Sequence, residues 1–185
     1  DASANLAAAL NEAAKKNRRV LIQWGAEWCG WCHLLSDCFK DQPTIAKALS
    51  RDYVLVRINV GRFDTNMNLV ETYGAKIKGN GIPYLTILAA DGTVLANQDT
   101  GTLETGPKHD PAKVLAFLKT YAPPPRIAQD VLNTALATAK KEEKIVFLHF
   151  GAPWCGWCHR FEDWLTQKDV ARIMDERFVD VKIDT

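Results

Sequence analysis

Residues 20–33 read VLIQWGAEWCGWCH and residues 146–159 read VFLHFGAPWCGWCH. This is an internal repeat, and missing it would misassign the whole fold. The likeness extends outward from the cysteines. Upstream, Leu6, Leu10, Ala13 and Ala14 follow the three-to-four spacing of an amphipathic helix, echoed by Val131, Leu132, Leu136 and Ala139. Downstream, YVLVRIN at 53–59 is matched by FVDVKID at 178–184, each reading as a strand.

Pro123-Pro124-Pro125 lies between the copies. It cannot continue a helix and favours an extended spacer. The expected organisation is a first domain over 1–122, a proline-rich linker over 123–126, and the N-terminal half of a second domain over 127–185. The second copy lacks the late elements of the first, and the chain opens at Asp1 without a methionine. The simplest expectation is a piece of a longer tandem protein, with completion in trans by a second copy of the chain as the alternative.

The first copy predicts helices near 4–16, from the cysteine pair to Pro43, and near 66–73. A last helix opens at Asp110-Pro111 with Val114, Leu115, Leu118 and Tyr121 inward. Strands are expected near 19–25, 53–60, 84–89 and 93–98, with a tight turn at Asp91-Gly92. Strands alternating with helices imply parallel pairing early, and the hairpin adds an antiparallel pair late. The fold class is α/β, a central mixed sheet flanked by helices.

Composition narrows the function. A 47% hydrophobic share and 24% charged share describe a chain with a real core. A net charge of +1 supplies no field that would favour nucleic acid, and no apolar run approaches the roughly 18 residues of a membrane span. Four of the five cysteines form two Cys-x-x-Cys pairs, a pattern of redox work, metal binding or haem attachment and not of a disulfide framework.

The apolar run Val20–Trp24 reads as a buried strand leading through a short loop into a helix that begins near Cys29. A helix N-terminus offers unpaired amide donors and the positive end of the dipole, which stabilise a thiolate. Cys29 is therefore the expected nucleophile. Cys32, one turn on and more deeply placed, resolves the mixed disulfide that Cys29 forms. Cys155 and Cys158 form the second pair.

Trp28-Cys29-Gly30-Trp31-Cys32 on a strand–loop–helix, with Ile82-Pro83 about fifty residues later ahead of a hairpin, resembles the thioredoxin superfamily. The resemblance covers 1–122. It implies the thioredoxin fold, followed by an incomplete second thioredoxin-like unit, and a thiol–disulfide oxidoreductase that needs no cofactor. Its partners would be protein thiol or disulfide substrates and a further redox partner. It also implies a cis Pro83 facing the cysteines and an Ile82 backbone that pairs with substrate, while Trp28 and Trp31 shape the contact surface. Gln23, and His149 in the second copy, stand where thioredoxins carry a buried aspartate, and Arg57 aligns with the family's lysine on the central strand. Relatives with a Cys-Gly-Trp-Cys-His site are often exported, which implies a periplasmic or secreted location.

Other readings stay open at this level. Both Cys-x-x-Cys-His segments satisfy the rule for c-type haem. A non-catalytic binding module would use the same surface, and zinc held by the four cysteines would need the two pairs face to face. Cys38 has Trp164 at its repeat position and reads as a small buried residue. His33 and His159 either tune their pairs or face solvent, His109 reads as a loop residue, and Trp24, Trp154 and Trp164 read as core or rim.

Overall fold

The computed structural model describes residues 1–152 and 154–184; Pro153 and Thr185 of the second copy lie outside them. The chain divides into two compact units, Asp1–Pro123 and Pro124–Thr185.

In the first unit, strand β1 (Arg19–Gly25) is the centre of a four-stranded sheet. It runs parallel to β2 (Tyr53–Asn59), pairing Arg19 with Tyr53 and Gly25 with Asn59. On its other side β3 (Tyr84–Leu88) runs antiparallel, from Val20 opposite Leu88 to Trp24 opposite Tyr84, and β4 (Val94–Asp99) closes the sheet order β2-β1-β3-β4. Gly92 at φ 88° turns the β3–β4 hairpin, and the Asp91 carboxylate accepts from the Thr93 amide. That arrangement is the mixed sheet expected from the sequence.

Strand side chains alternate in direction, so β1 feeds two cores. Val20, Ile22 and Trp24 join Leu6, Ala9 and Ala13 of helix α1 (Ala2–Lys16) and Leu69 and Val70 of α4 (Met67–Thr72). Leu21 faces the opposite way, against α2 (Gly30–Asp41), α3 (Pro43–Asp52) and α6 (Pro111–Thr120) through Leu35, Phe39, Ile45, Val114 and Leu118. Gln23 follows Leu21 by two residues, and this parity brings it to the helix that carries the cysteines. A buried relay ties β1, β3 and β4 together: Trp24 Nε1 donates to Thr86 Oγ1 at 2.8 Å, and Thr86 donates to Asn97 Oδ1 at 2.6 Å.

Several local expectations are corrected. Pro43 does not merely end the cysteine-bearing helix; it starts α3 at the first helical turn, after Gln42 in an extended conformation, because proline lacks only an amide that is unpaired there anyway. Ala9 is buried where Ala14 was expected, and Phe117 is buried while Leu115 and Tyr121 are half-buried, since each helix presents a slightly rotated face. Short elements absent from the sequence reading also appear. They are α5 (Ile77–Asn80), a 3₁₀ turn at Thr100–Leu103, and the ribbon of β5 (Glu104–Thr105) with β6 (Lys108–His109).

The second unit holds α7 (Ala128–Glu142), β7 (Ile145–Gly151), α8 (Gly156–Leu165), α9 (Lys168–Arg177) and β8 (Phe178–Asp184). Among the described residues β7 pairs with β8 alone, in the register of β1 with β2. Phe150 is 63% exposed, although its counterpart Trp24 is fully buried in the core with residues of α1 and α4. Leu136 is likewise exposed, which corrects its expected place on the inward face of α7, while Trp154 and Trp164 are exposed at the rim and Trp24 lies in the core, within the core-or-rim reading of the three. Among the described residues of this unit, no strand pairs with the edge of β7 that corresponds to the β3 side of β1.

Candidate active site

Cys29 is the N-cap of α2, with φ −84° and ψ 102°, and its sulfur accepts from the Cys32 amide at 3.1 Å. The helix therefore directs a backbone donor and its positive end at that sulfur. Cys29 and Cys32 form a disulfide, with Cα atoms 5.3 Å apart. The expected difference in depth is absent: Cys29 is 4% exposed and Cys32 6%, because Ala26 and Ile82 pack against both from the loop side.

The Ile82–Pro83 bond is cis, and the Ile82 carbonyl oxygen lies 3.5 Å from Cys29 Sγ. Ile82 is half-buried and Pro83 buried. Thr100, a buried hydroxyl that sequence reasoning missed, donates to the Pro83 carbonyl and ties this loop to the 3₁₀ turn. The structure thus brings Cys29, Cys32, Ile82 and Pro83 together.

Behind the pair, Gln23 is 3% exposed and its Nε2 donates to the Cys32 carbonyl at 3.2 Å and to Ser36 Oγ at 3.3 Å. Ser36 donates to the same carbonyl at 3.0 Å. These groups are uncharged. Arg57 adds no charge in the interior, for β2 is the edge strand of the described sheet, not a central one, and Arg57 is exposed on it.

Two tryptophans flank the pair. Trp28 is 53% exposed; its Nε1 donates to the Gly61 carbonyl at 2.9 Å, Phe63 meets its ring edge-on, and the Arg62 guanidinium lies 5.9 Å from the ring centroid. Gly61 is required at its φ of 58°, where a methyl group would strike Asp64 and Thr65. Trp31 is half-buried and packs against His109, whose ring centroid is 5.4 Å away. His109 is not a loop residue as expected: it sits on β6, 3% exposed. His33 is exposed, with a ring nitrogen 2.7 Å from the Glu27 carbonyl oxygen. Cys38 stands apart from the pair, half-buried, its thiol pKa pushed up by burial and by the Asp110 charge.

The second pair repeats the local geometry. Cys155 caps α8 with φ −85° and ψ 102°, accepts from the Cys158 amide at 3.1 Å, and is disulfide-bonded to Cys158 with Cα atoms 5.2 Å apart. Its surroundings differ. Both cysteines and His159 are half-buried, and Trp157 is 78% exposed with the Arg160 guanidinium 4.6 Å from its ring centroid. Other polar contacts stand here: His149 Nε2 lies 3.2 Å from Asp180 Oδ1, and Lys182 forms an ion pair with Glu162 at 2.6 Å. Among the described residues, no group of three or more His, Cys, Asp or Glu side chains is placed to hold a metal.

Comparison with known proteins adds two family matches. Residues 1–90 match a family described as thioredoxin-like, and residues 111–185 match one described as a protein of unknown function, DUF255, whose label is Thioredox_DsbH. The chain belongs to the thioredoxin superfamily.

A solved structure agrees with this thioredoxin-fold assignment: the chain is similar to a disulphide isomerase from Xylella fastidiosa Temecula1, with 27% identity, a TM-score of 0.58, and coverage of 65% of this chain and 90% of that one. Among curated proteins, it is 29% identical over 152 residues to a probable protein disulfide-isomerase A4 of Caenorhabditis elegans, covering 79% of this chain and 21% of that protein. A 51-residue segment is 41% identical to human spermatogenesis-associated protein 20, covering 27% of this chain and 6% of that protein. The chain thus spans only a small part of either curated relative.

Proposed function

We propose that the chain is a thiol–disulfide oxidoreductase acting on protein disulfides or dithiols through Cys29 and Cys32. The observation that carries this reading is the Cys29–Cys32 disulfide capping α2, with the backbone of the Ile82–Pro83 loop 3.5 Å from the Cys29 sulfur. In the reducing direction the Cys29 thiolate attacks one sulfur of a substrate disulfide. A mixed disulfide forms and the other substrate sulfur leaves as a thiolate that takes a proton from water. Cys32, deprotonated, then attacks Cys29 Sγ, releasing the second substrate thiolate and closing the disulfide, so two electrons pass from the pair to the substrate. The same steps reversed oxidise a substrate dithiol.

Ile82 and Pro83 position an extended substrate segment, and Trp28 and Trp31 form the rim it rests on. Cys155 and Cys158 act as a second pair whose competence requires the covering elements that 127–185 does not supply. In this account 127–185 is the N-terminal half of a second thioredoxin-like domain, joined to 1–122 through the linker 123–126. A second copy of the chain could complete this half as a homodimer, and a separate redox partner resets the pair. The Cys-Gly-Trp-Cys-His sites, by their likeness to those of exported relatives, favour an extracytoplasmic setting; no described helix is long and apolar enough to cross a membrane.

The test is capture. With Cys32→Ala, reduced and mixed with insulin, Cys29 should accumulate as a mixed disulfide visible by non-reducing electrophoresis and mass spectrometry. Failure of that adduct to form, with Cys29 shown to be a free thiol, contradicts the reading.

A further inference from the structure

His109 lies 78 positions along the chain from Trp31, yet its Nε2 is 3.3 Å from the Trp31 carbonyl oxygen and its ring meets the indole at 78°. The residue is 3% exposed, and Nδ1 is buried without a protein partner. The ribbon that carries it is fastened on both sides. Glu104 pairs with His109 across the ribbon, Gly106 turns it at φ 63°, and Asp110 donates its backbone amide to the Leu103 carbonyl while capping α6. Thr105 Oγ1 donates to the Asp110 carboxylate and Lys113 Nζ to the Glu104 carbonyl. A core histidine that merely filled space would need none of this arrangement.

We propose that His109 is a positioning residue of the Cys29–Cys32 site, donating its Nε2 proton to the Trp31 carbonyl and packing against the indole so that Trp31 is held at the rim where a protein substrate docks. A carbonyl can only accept, so Nε2 carries the proton and Nδ1 is the bare acceptor. Burial lowers the imidazole pKa from its ordinary 6.5, against the opposing pull of the Trp31 hydrogen bond and the Glu104 charge. The ring is thus uncharged near neutral pH. Trp31 lies between the two cysteines, so one hydrogen bond fixes both the first turn of α2 and the largest side chain beside the sulfurs. This role rests on the oxidoreductase reading, because a rim matters only where a substrate docks.

The chemistry of amide substitutions separates positioning from space filling. The amide nitrogen of Gln stands near the place of Nε2, and that of Asn near the place of Nδ1. In steady-state reduction of insulin by the full chain, His109→Ala and His109→Asn should each raise KM by about three- to tenfold, the range of one lost hydrogen bond. His109→Gln should stay close to wild type, and kcat should change less than KM in all three. Equal behaviour of the Gln and Asn variants overturns the proposal. Independently of any variant, two-bond ¹H–¹⁵N correlation spectra of the wild-type chain should place the proton on Nε2 at neutral pH; a proton on Nδ1, or a doubly protonated ring, overturns it. A wild-type chain that neither reduces insulin nor oxidises a dithiol peptide instead removes the oxidoreductase reading, while the tautomer still tests the contact.

Discussion

Gly25 faces Cys32 so closely that a methyl group on residue 25 would lie 3.0 Å from the sulfur and 3.4 Å from Cβ. The end of β1 and the first turn of α2 are thereby held at contact distance, and the disulfide leaves the sulfur little room to retreat. Gly25→Ala should destabilise the oxidised protein by about 1–3 kcal/mol, the usual cost of overpacking. Denaturant midpoints under oxidising conditions check this; an unchanged midpoint would show that the site yields freely.

Tyr53 begins β2, and its buried hydroxyl donates to the Leu118 carbonyl at 2.6 Å, joining the edge strand to α6. Burial, first of all, raises the phenol pKa, with the Asp52 charge adding to it. Tyr53→Phe leaves that carbonyl without its donor and should cost about 1–3 kcal/mol in urea unfolding. A cost near zero would mean that another group or water takes over the bond.

Asp110 caps α6, accepting from the amides of Ala112 and Lys113 and from the Thr105 hydroxyl. The Thr105 hydrogen bond first, and the two amides after it, lower its pKa from the ordinary 3.8. Its folded pKa lies below the unfolded one, so its contribution is present in full above the unfolded value and is lost as pH falls through the folded value. Asp110→Asn keeps a capping oxygen but no charge. Urea midpoints followed from about pH 6 to about pH 2 should fall less steeply in the variant than in wild type; parallel curves would remove Asp110 from the acid response.

Trp28 is pinned to the Gly61 carbonyl and flanked by Phe63 and Arg62, yet half of it remains in solvent. An exposed, prearranged indole beside the sulfurs suits docking. Trp28→Ala should raise KM for insulin about tenfold with little change in kcat, as expected when binding common to ground and transition states is removed. An unchanged KM would place the substrate elsewhere.

How far the sequence could be read follows from the range of each interaction. The repeat, the strands at 19–25 and 53–59 and the helix at Cys29 rest on periodicity and on capping within a few residues, and they were legible. Pro43 was ambiguous because proline both stops one helix and starts another. In the sequence Gln23 stands out only as the residue at an aspartate position; its bonds to Cys32 and Ser36 need strand parity and helix packing together. Thr100 and His109 were beyond reach, since each acts on residues 17 and 78 positions away through elements only two to four residues long.

The central claim is that Cys29 and Cys32 cycle as one two-electron pair. Intact-mass spectrometry of the chain, alkylated after equilibration across a series of reduced-to-oxidised glutathione ratios and mapped by peptide, tests it most directly. The account predicts that Cys29 and Cys32 gain or lose their alkyl groups together, through a single midpoint within that series. A pair that never changes state, or cysteines that titrate independently, would contradict it.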